Sequence, residues 1–246
     1  MIVIPMAGLS TRFTAAGHDR PKFMLPLGRT TVFGHAVGSF GAYFATIPFL
    51  FIARGGAAVA DFVTESCAAF GIKSVHIEML PKPTAGQAET VEEGLTAAGV
   101  PGDTPITIFN IDTFRPGFQF PDEPWSASSA GYLEVFLGEG GNWSYVRPAV
   151  DASDLVLETA EKRPISNLCC TGLYHFTRAE DFLTSLALER RRPTAAELYV
   201  APLYNHLIRM GMAVHYRLVS ETEVVFCGVP SEYEALLKAE PLRYST

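Results

Sequence analysis

Gly8-Leu9-Ser10-Thr11-Arg12 follows a short apolar run, Ile2-Val3-Ile4-Pro5-Met6, and gathers residue types that hold phosphate. A glycine lets a ligand approach the backbone, and successive amide N–H groups form an anion cradle. Ser10 and Thr11 add hydroxyl donors, and Arg12 can grip phosphate through two parallel hydrogen bonds. Ten residues on, Pro21 stiffens the chain directly ahead of Lys22. A lysine held near the same oxygens would balance charge that builds up during group transfer. The loop is neither G-x-x-x-x-G-K-[ST] nor G-x-G-x-x-G. Taken singly, a polar loop and a solvated lysine are the plainer readings. Their pairing behind a buried strand is what points to anion chemistry.

These residues need a scaffold, and the apolar pattern supplies one. Ile2–Met6, 48–53, Val75–Ile77 and Ile106–Ile111 are short, continuously apolar runs, as buried parallel strands require. Between them, 31–42 has helical character weakened by glycines. Val59, Val63, Cys67 and Phe70 recur at helical spacing before Gly71, and Ala88, Val91, Leu95 and Ala98 before Gly99. Strands alternating with helices predict an α/β fold with a parallel, doubly wound sheet. Ligands in such sheets bind beyond the carboxyl ends of the strands, where the loop after Met6 and Asn110-Ile111-Asp112 both fall.

From Gly131 onward the pattern becomes β-rich, through Gly131–Leu137, Ser144–Val150, Leu155–Thr159 and Cys169–Phe176. Helical spacing returns at Val200, Leu203, Tyr204, Leu207 and Ile208, stopped by Gly211. We read residues 1–246 as one domain whose halves, 1–115 and 116–246, share a sheet. Their seam falls in the proline- and glycine-containing stretch 115–124.

A-G-x-x-T-R followed by P-K within the first 22 residues resembles the signature of sugar-nucleotide pyrophosphorylases, the NTP-transferase family. The resemblance implies a Rossmann-like nucleotidyltransferase fold and condensation of an NTP with a sugar 1-phosphate, releasing pyrophosphate with Mg²⁺. It places Gly8, Leu9, Ser10 and Thr11 around the nucleotide and makes Arg12 and Lys22 the catalytic cations. Ser10 stands where the family usually has glycine, which narrows the room for the nucleotide. Pro83-Thr84-Ala85-Gly86-Gln87 resembles the base-contacting segment, with Thr84, Gly86 and Gln87 as nucleotide contacts; Thr84 also reads as a helix cap. Asn110-Ile111-Asp112 resembles the metal motif, and one carboxylate at a strand end suits Mg²⁺. In the β-rich half, Glu161, Lys162, Asn167 and Gly172 match the acceptor-binding positions. Glu197–Asn205 resembles a stretch of short members linked to surface polysaccharide synthesis. One departure stands out: Phe226 occupies the place of the second metal carboxylate, and Glu221 and Glu223 are acidic residues close to it in sequence.

Composition narrows the alternatives. The chain of 246 residues is 48% apolar, enough for a sizeable core. A net charge of −7 argues against a nucleic-acid binder, while Arg12, Arg20 and Lys22 make the opening locally basic. No run of about 18 apolar residues predicts a membrane span. The opening segment reads as a strand and not as a signal peptide. Cys67, Cys169, Cys170 and Cys227 lack C-x-x-C spacing, so they read as buried thiols of a cytoplasmic protein. The expected partners are an NTP and a phosphorylated small molecule. The base, the acceptor and the oligomeric state, a homo-oligomer included, stay open. A glycosyltransferase of related fold would carry D-x-D where this chain has Asn110-Ile111-Asp112. A non-catalytic nucleotide- or sugar-binding subunit is the other alternative, with Phe226 as its support.

Overall fold

A computed structural model describes residues 1–123, 125–150 and 154–239. Pro124, at the end of the expected seam, lies outside the described residues. The first half runs β1 (Ile2–Met6), α1 (Thr11–Ala15), β2 (Pro26–Leu27), β3 (Thr30–Thr31), α2 (Val32–Gly38), β4 (Phe49–Arg54) and α3 (Ala57–Phe70). It continues through β5 (Val75–Leu80), α4 (Gln87–Ala97), β6 (Ile106–Phe109) and β7 (Thr113–Phe114). The second half begins with β8 (Gly131–Leu137), β9 (Ser144–Pro148), β10 (Val156–Glu161), β11 (Leu168–Phe176) and α5 (Ala179–Arg191). It ends with α6 (Tyr204–Arg209), β12 (Val214–Leu218), β13 (Val225–Phe226) and α7 (Pro230–Lys238).

Among the described residues one nine-stranded sheet takes strands from both halves, with a backbone order β10-β9-β11-β6-β1-β4-β5 and β8 joining β11 to β12. The expected parallel set is β5-β4-β1-β6. The β-rich half joins it antiparallel through β11 against β6. Chain order reverses at β1, whose neighbours are β4 and β6, and such a reversal leaves a crevice at the strand ends. β1 pairs with β6 only through Ile2 and Val3. Pro5, which has no N–H to donate, lies beyond that pairing, where the two strands part.

The alternation of β1 divides the core. Ile2, Ile4 and Met6 face one apolar cluster with Phe33, Phe40, Phe49 and Phe51. Val3 faces the other, with Leu50, Ile52, Val91, Leu95 and Leu186. Each fully buried side chain of this kind contributes roughly 1.5–3 kcal/mol. Helices α3 and α4 form where their periodicity predicts. The expected helix at 31–42 is shorter: Thr31 caps α2 by accepting from Gly34 N at 3.1 Å, and a separate 3₁₀ turn covers Gly41–Tyr43. The helix expected from Val200 starts as a 3₁₀ turn, Ala201–Leu203, before α6. The sequence reading assigns neither α5, β12 nor α7, and it reads α1 as loop. All four cysteines are buried and unbridged, as expected. No helix is long and apolar enough to cross a membrane, among the described residues.

One buried ion pair ties the halves together. Arg115, just after β7, donates Nε to Glu134 Oε1 at 2.6 Å and Nη2 to Oε2 at 3.0 Å. Its Nη1 reaches the Glu223 carbonyl at 2.7 Å, and its backbone N–H donates to Ser39 Oγ at 2.8 Å. Thr171 Oγ1 donates to the same Glu134 carboxylate at 3.2 Å. Glu134 is fully buried and Arg115 nearly so.

Candidate active site

The loop after β1 does not stay irregular. Ser10 adopts φ 52°, ψ 28°, and its carbonyl accepts from Phe13 N and Thr14 N at 2.9 and 3.0 Å, starting α1. A left-handed conformation costs a residue with a Cβ on the order of 1 kcal/mol, which is why glycine suits this position. Ser10 Oγ also accepts from Lys22 N at 3.4 Å.

Gly8, Leu9, Ser10 and Thr11 line a cavity of about 470 Å³ together with Lys22, Thr84, Gly86, Gln87 and Asp112. The segment carrying Thr84 and Gly86 is clamped from behind. Leu198 N donates to Ala85 O at 3.0 Å, and Ala88 N donates to Leu198 O at 2.8 Å. Gly86 has φ 153°, and a Cβ there would lie 2.5 Å from the Leu198 carbonyl oxygen. Thr84 Oγ1 donates to Gly86 O at 3.1 Å, so it braces the turn ahead of α4. Gln87 Nε2 donates to Asn110 Oδ1 at 2.6 Å.

A second cavity, about 580 Å³, adjoins the first and shares Gln87, Asn110 and Asp112 with it. It is lined by Arg12, Glu161, Lys162 and Gly172, and by Ser144, Tyr174 and Tyr199. Arg12 therefore faces the cavity of the β-rich half, across from the loop residues that precede it. Gly172 sits at an irregularity in β11, where the strand keeps β8 along one edge and passes from β9 to β6 along the other. Its φ is 98°, and a Cβ there would lie 2.5 Å from Asn110 Nδ2. Asn167 is not brought to either cavity. It is exposed just before β11, and its carbonyl accepts from Gly138 N at 3.0 Å.

Charges meet where the cavities join. Lys22 Nζ donates directly to Asp112 Oδ2. Burial pushes the Asp112 carboxyl up, but Lys22 and Arg12 outweigh it and hold the group below its ordinary value. Burial raises the Glu161 carboxyl above its ordinary value, against a hydrogen bond from Ser144 and the charge of Lys162. Lys162 has φ 53° at the end of β10. Its Nζ donates to Tyr199 Oη at 2.6 Å and lies 4.7 Å from the centre of that ring. That hydrogen bond raises the ammonium pKa. Two of the strained non-glycine residues, Ser10 and Lys162, thus border the paired cavities, and such strain gathers at functional sites.

Asp112 offers hard oxygen ligands of the kind Mg²⁺ takes. Glu232 brings a second carboxylate close by. A Cβ on Gly228 would lie 3.2 Å from Asp112 Oδ2 and 3.7 Å from Glu232 Oε2, so glycine keeps that space clear. Glu232 Oε2 is engaged with Gly228 N and Val229 N at 2.7 and 3.2 Å. Glu221 and Glu223 line neither cavity, and Glu223 Oε2 accepts from Ser220 N at 2.9 Å within its own turn. Among the described residues no group of three or more His, Cys, Asp or Glu side chains is placed to hold a metal. The donor set fits an ion held by Asp112 and completed by phosphate oxygens and water.

Trp143, Ser144, Tyr174, Tyr199, Glu197 and Glu232 also line the cavities, and the sequence reading gives none of them that role. Three of them carried a signal: Tyr174 lies in the segment around Gly172 that resembles the acceptor lobe, and Glu197 and Tyr199 lie in the stretch resembling short family members, read mostly as helix and core.

No family model and no curated protein matches the chain. Solved structures do. A nucleoside-diphosphate-sugar pyrophosphorylase from Vibrio cholerae RC9 is 52% identical, with a TM-score of 0.92 over 97% of this chain and 100% of that one. The fold is that of the nucleotidyltransferase structures it matches. At that identity and coverage, the chain belongs to the nucleoside-diphosphate-sugar pyrophosphorylase family. More distant structures share the fold. A UDP-glucose pyrophosphorylase from Acinetobacter baumannii is 18% identical, with a TM-score of 0.72 over 96% of this chain and 91% of that one. An inositol-1-phosphate CTP transferase from T. maritima is 12% identical, with a TM-score of 0.73 over 96% and 94%.

Proposed function

We propose that the protein condenses an NTP with a sugar 1-phosphate, or a similar phosphorylated small molecule, and releases pyrophosphate. The supporting observation is the Lys22–Asp112 contact at the junction of two cavities. One cavity has a backbone loop for phosphates, and the other has a carboxylate and hydroxyls for a polar acceptor.

The nucleotide lies in the first cavity, with its phosphates against Gly8–Thr11 and its base against Thr84–Gln87. The acceptor lies in the second cavity, with its hydroxyls near Glu161 and its phosphate between Arg12 and Lys162. An acceptor phosphate oxygen attacks the α-phosphorus. The new O–P bond forms as the α–β bridging bond breaks, and the electron pair leaves with pyrophosphate. Lys22 and Arg12 stabilise charge on the phosphate oxygens, and Lys162 orients the attacking group. No covalent enzyme intermediate is required, so the residues act by positioning and electrostatics. Mg²⁺, held by Asp112 and substrate oxygens, would supply further charge neutralisation. Unbridged buried thiols favour a reducing cytoplasmic setting. The stretch Glu197–Asn205 supports a product used in surface polysaccharide synthesis.

A pyrophosphate-release screen of four NTPs against sugar, cyclitol and alcohol phosphates, with Mg²⁺, tests the reading. Release dependent on one NTP and one acceptor is expected. Nucleotide binding without release against the whole panel would favour the non-catalytic alternative.

A further inference from the structure

Phe226, the residue that replaces an expected carboxylate, does not fill a core position. It is half-buried and lines the acceptor-side cavity beside Trp143, which is also half-buried. The two ring centres lie 4.6 Å apart at 54°. Phe136, nearly fully buried, supports both from behind, 5.2 Å from Phe226 and 5.1 Å from Trp143. Three rings from β8, the β9 approach and β13 therefore form a rigid wall whose front faces the cavity.

The wall has a direction. At one end, Phe226 pairs with Thr113 across β7 and β13, and Cys227 N donates to Asp112 O at 2.8 Å. That end adjoins the charged junction. At the other end, Trp143 O accepts from Lys162 N at 2.9 Å, and the next residue, Ser144, donates to Glu161. Tyr174 Oη donates to Ser144 Oγ at 3.4 Å. An apolar surface of two tilted rings thus leads from the phosphate end to a set of hydroxyl-binding groups. Aromatic faces supply rigid contact area with little entropy to lose, and a few polar groups beside them fix orientation.

We propose that Phe226 and Trp143 form a stacking platform that selects acceptors with a saturated six-membered ring, a pyranose or cyclitol phosphate, over open-chain phosphates. The proposal rests on the reading of this cavity as the acceptor site. The ring would lay its C–H face on the wall while its hydroxyls meet Glu161 and Ser144. Aromatic faces with Glu139 and Glu161 lining the same cavity also suit a quaternary ammonium, so phosphocholine is the competing ligand in the test.

The chain has two tryptophans, and Trp125 lies outside the cavity, stacked on His215 at 4.9 Å. The Trp125→Phe variant therefore reports on Trp143 alone. Its emission should shift on titration with glucose 1-phosphate or inositol 1-phosphate, and not with inorganic phosphate, glycerol phosphate or phosphocholine. Trp143→Leu and Phe226→Leu should each raise the acceptor KM about tenfold. NTP affinity should hold, and circular dichroism should report an intact fold. Release from ring phosphates at unchanged KM in both variants would overturn the platform and leave the proposed function standing. A larger response to phosphocholine than to any ring phosphate would also overturn it. If no acceptor supports release, the proposed function fails, and the titration alone decides the platform: a shift with ring phosphates sustains it, and none overturns it.

Discussion

Lys22 Nζ and Asp112 Oδ2 meet across 90 residues of sequence, and each neutralises the other. The pair is a store of opposite charges at the point where two substrates would react. A triphosphate entering the first cavity offers Lys22 new anionic partners and frees Asp112 for a cation. Lys22→Ala should keep the fold, since the side chain stands outside both apolar clusters. Turnover should fall roughly a hundredfold, about 3 kcal/mol of transition-state stabilisation. Steady-state pyrophosphate release beside a thermal melt checks both halves of this expectation.

Metal affinity should follow from the same pair. Lys22 competes with a divalent ion for Asp112, so Mn²⁺ should bind weakly to the nucleotide-free protein and better with NTP. Lys22→Met removes the competitor and should strengthen nucleotide-free binding. Asp112→Asn should abolish it. Electron paramagnetic resonance of Mn²⁺ reads all three; tight nucleotide-free binding untouched by Asp112→Asn would place the metal elsewhere.

Glu161 holds its proton more tightly in the folded protein than in the unfolded chain, because burial disfavours the carboxylate. A raised carboxyl contributes stability that is intact below its ordinary value of 4.5 and is lost as pH rises through the folded value. Glu161→Gln mimics the protonated form. It should therefore melt above the wild type at pH 7, with the difference vanishing below about pH 4. The same variant should bind acceptor more weakly at unchanged NTP affinity. Melts across pH, with calorimetric titration of each ligand, separate the two effects.

Arg115 and Glu134 form a pair whose separate removal should be costly. Arg115→Met leaves Glu134 buried with Thr171 as its remaining side-chain hydrogen-bond partner among the described residues, and should destabilise by about 3–5 kcal/mol. Arg115→Met with Glu134→Leu should recover most of that loss, since two apolar groups leave no buried charge. Urea unfolding of both variants is the measurement. A double variant no more stable than the single one would argue against this account.

Gly86→Ala places a methyl where the Leu198 carbonyl stands, in a backbone conformation L residues avoid. The clamp between 84–87 and Leu198 should open and NTP affinity fall at least tenfold, about 1.4 kcal/mol or more. Acceptor-side ligands should bind as before. Calorimetry with an NTP and with an acceptor phosphate distinguishes this local effect from global unfolding.

Neighbouring residues carried much of the fold in the sequence. The apolar run of β1, the helical spacing of α3 and α4, and the glycine–hydroxyl–arginine loop are each written within a few positions, because backbone preference and burial period are local. That locality also explains why these candidates were legible: the loop, Thr84–Gln87, Asp112 and Glu161 all fall at element ends, where a strand or helix stops. Register and packing decided the rest. Only the partner change in β11 turns Gly172 onto Asn110 while leaving Asn167 at the strand's far end. Only the pairing of β13 with β7 sets Phe226 beside Asp112, and only β8 and the approach to β9 bring Phe136 and Trp143 to it. Such contacts join residues tens of positions apart. Their geometry depends on how whole strands twist and pair, which no short stretch of sequence encodes.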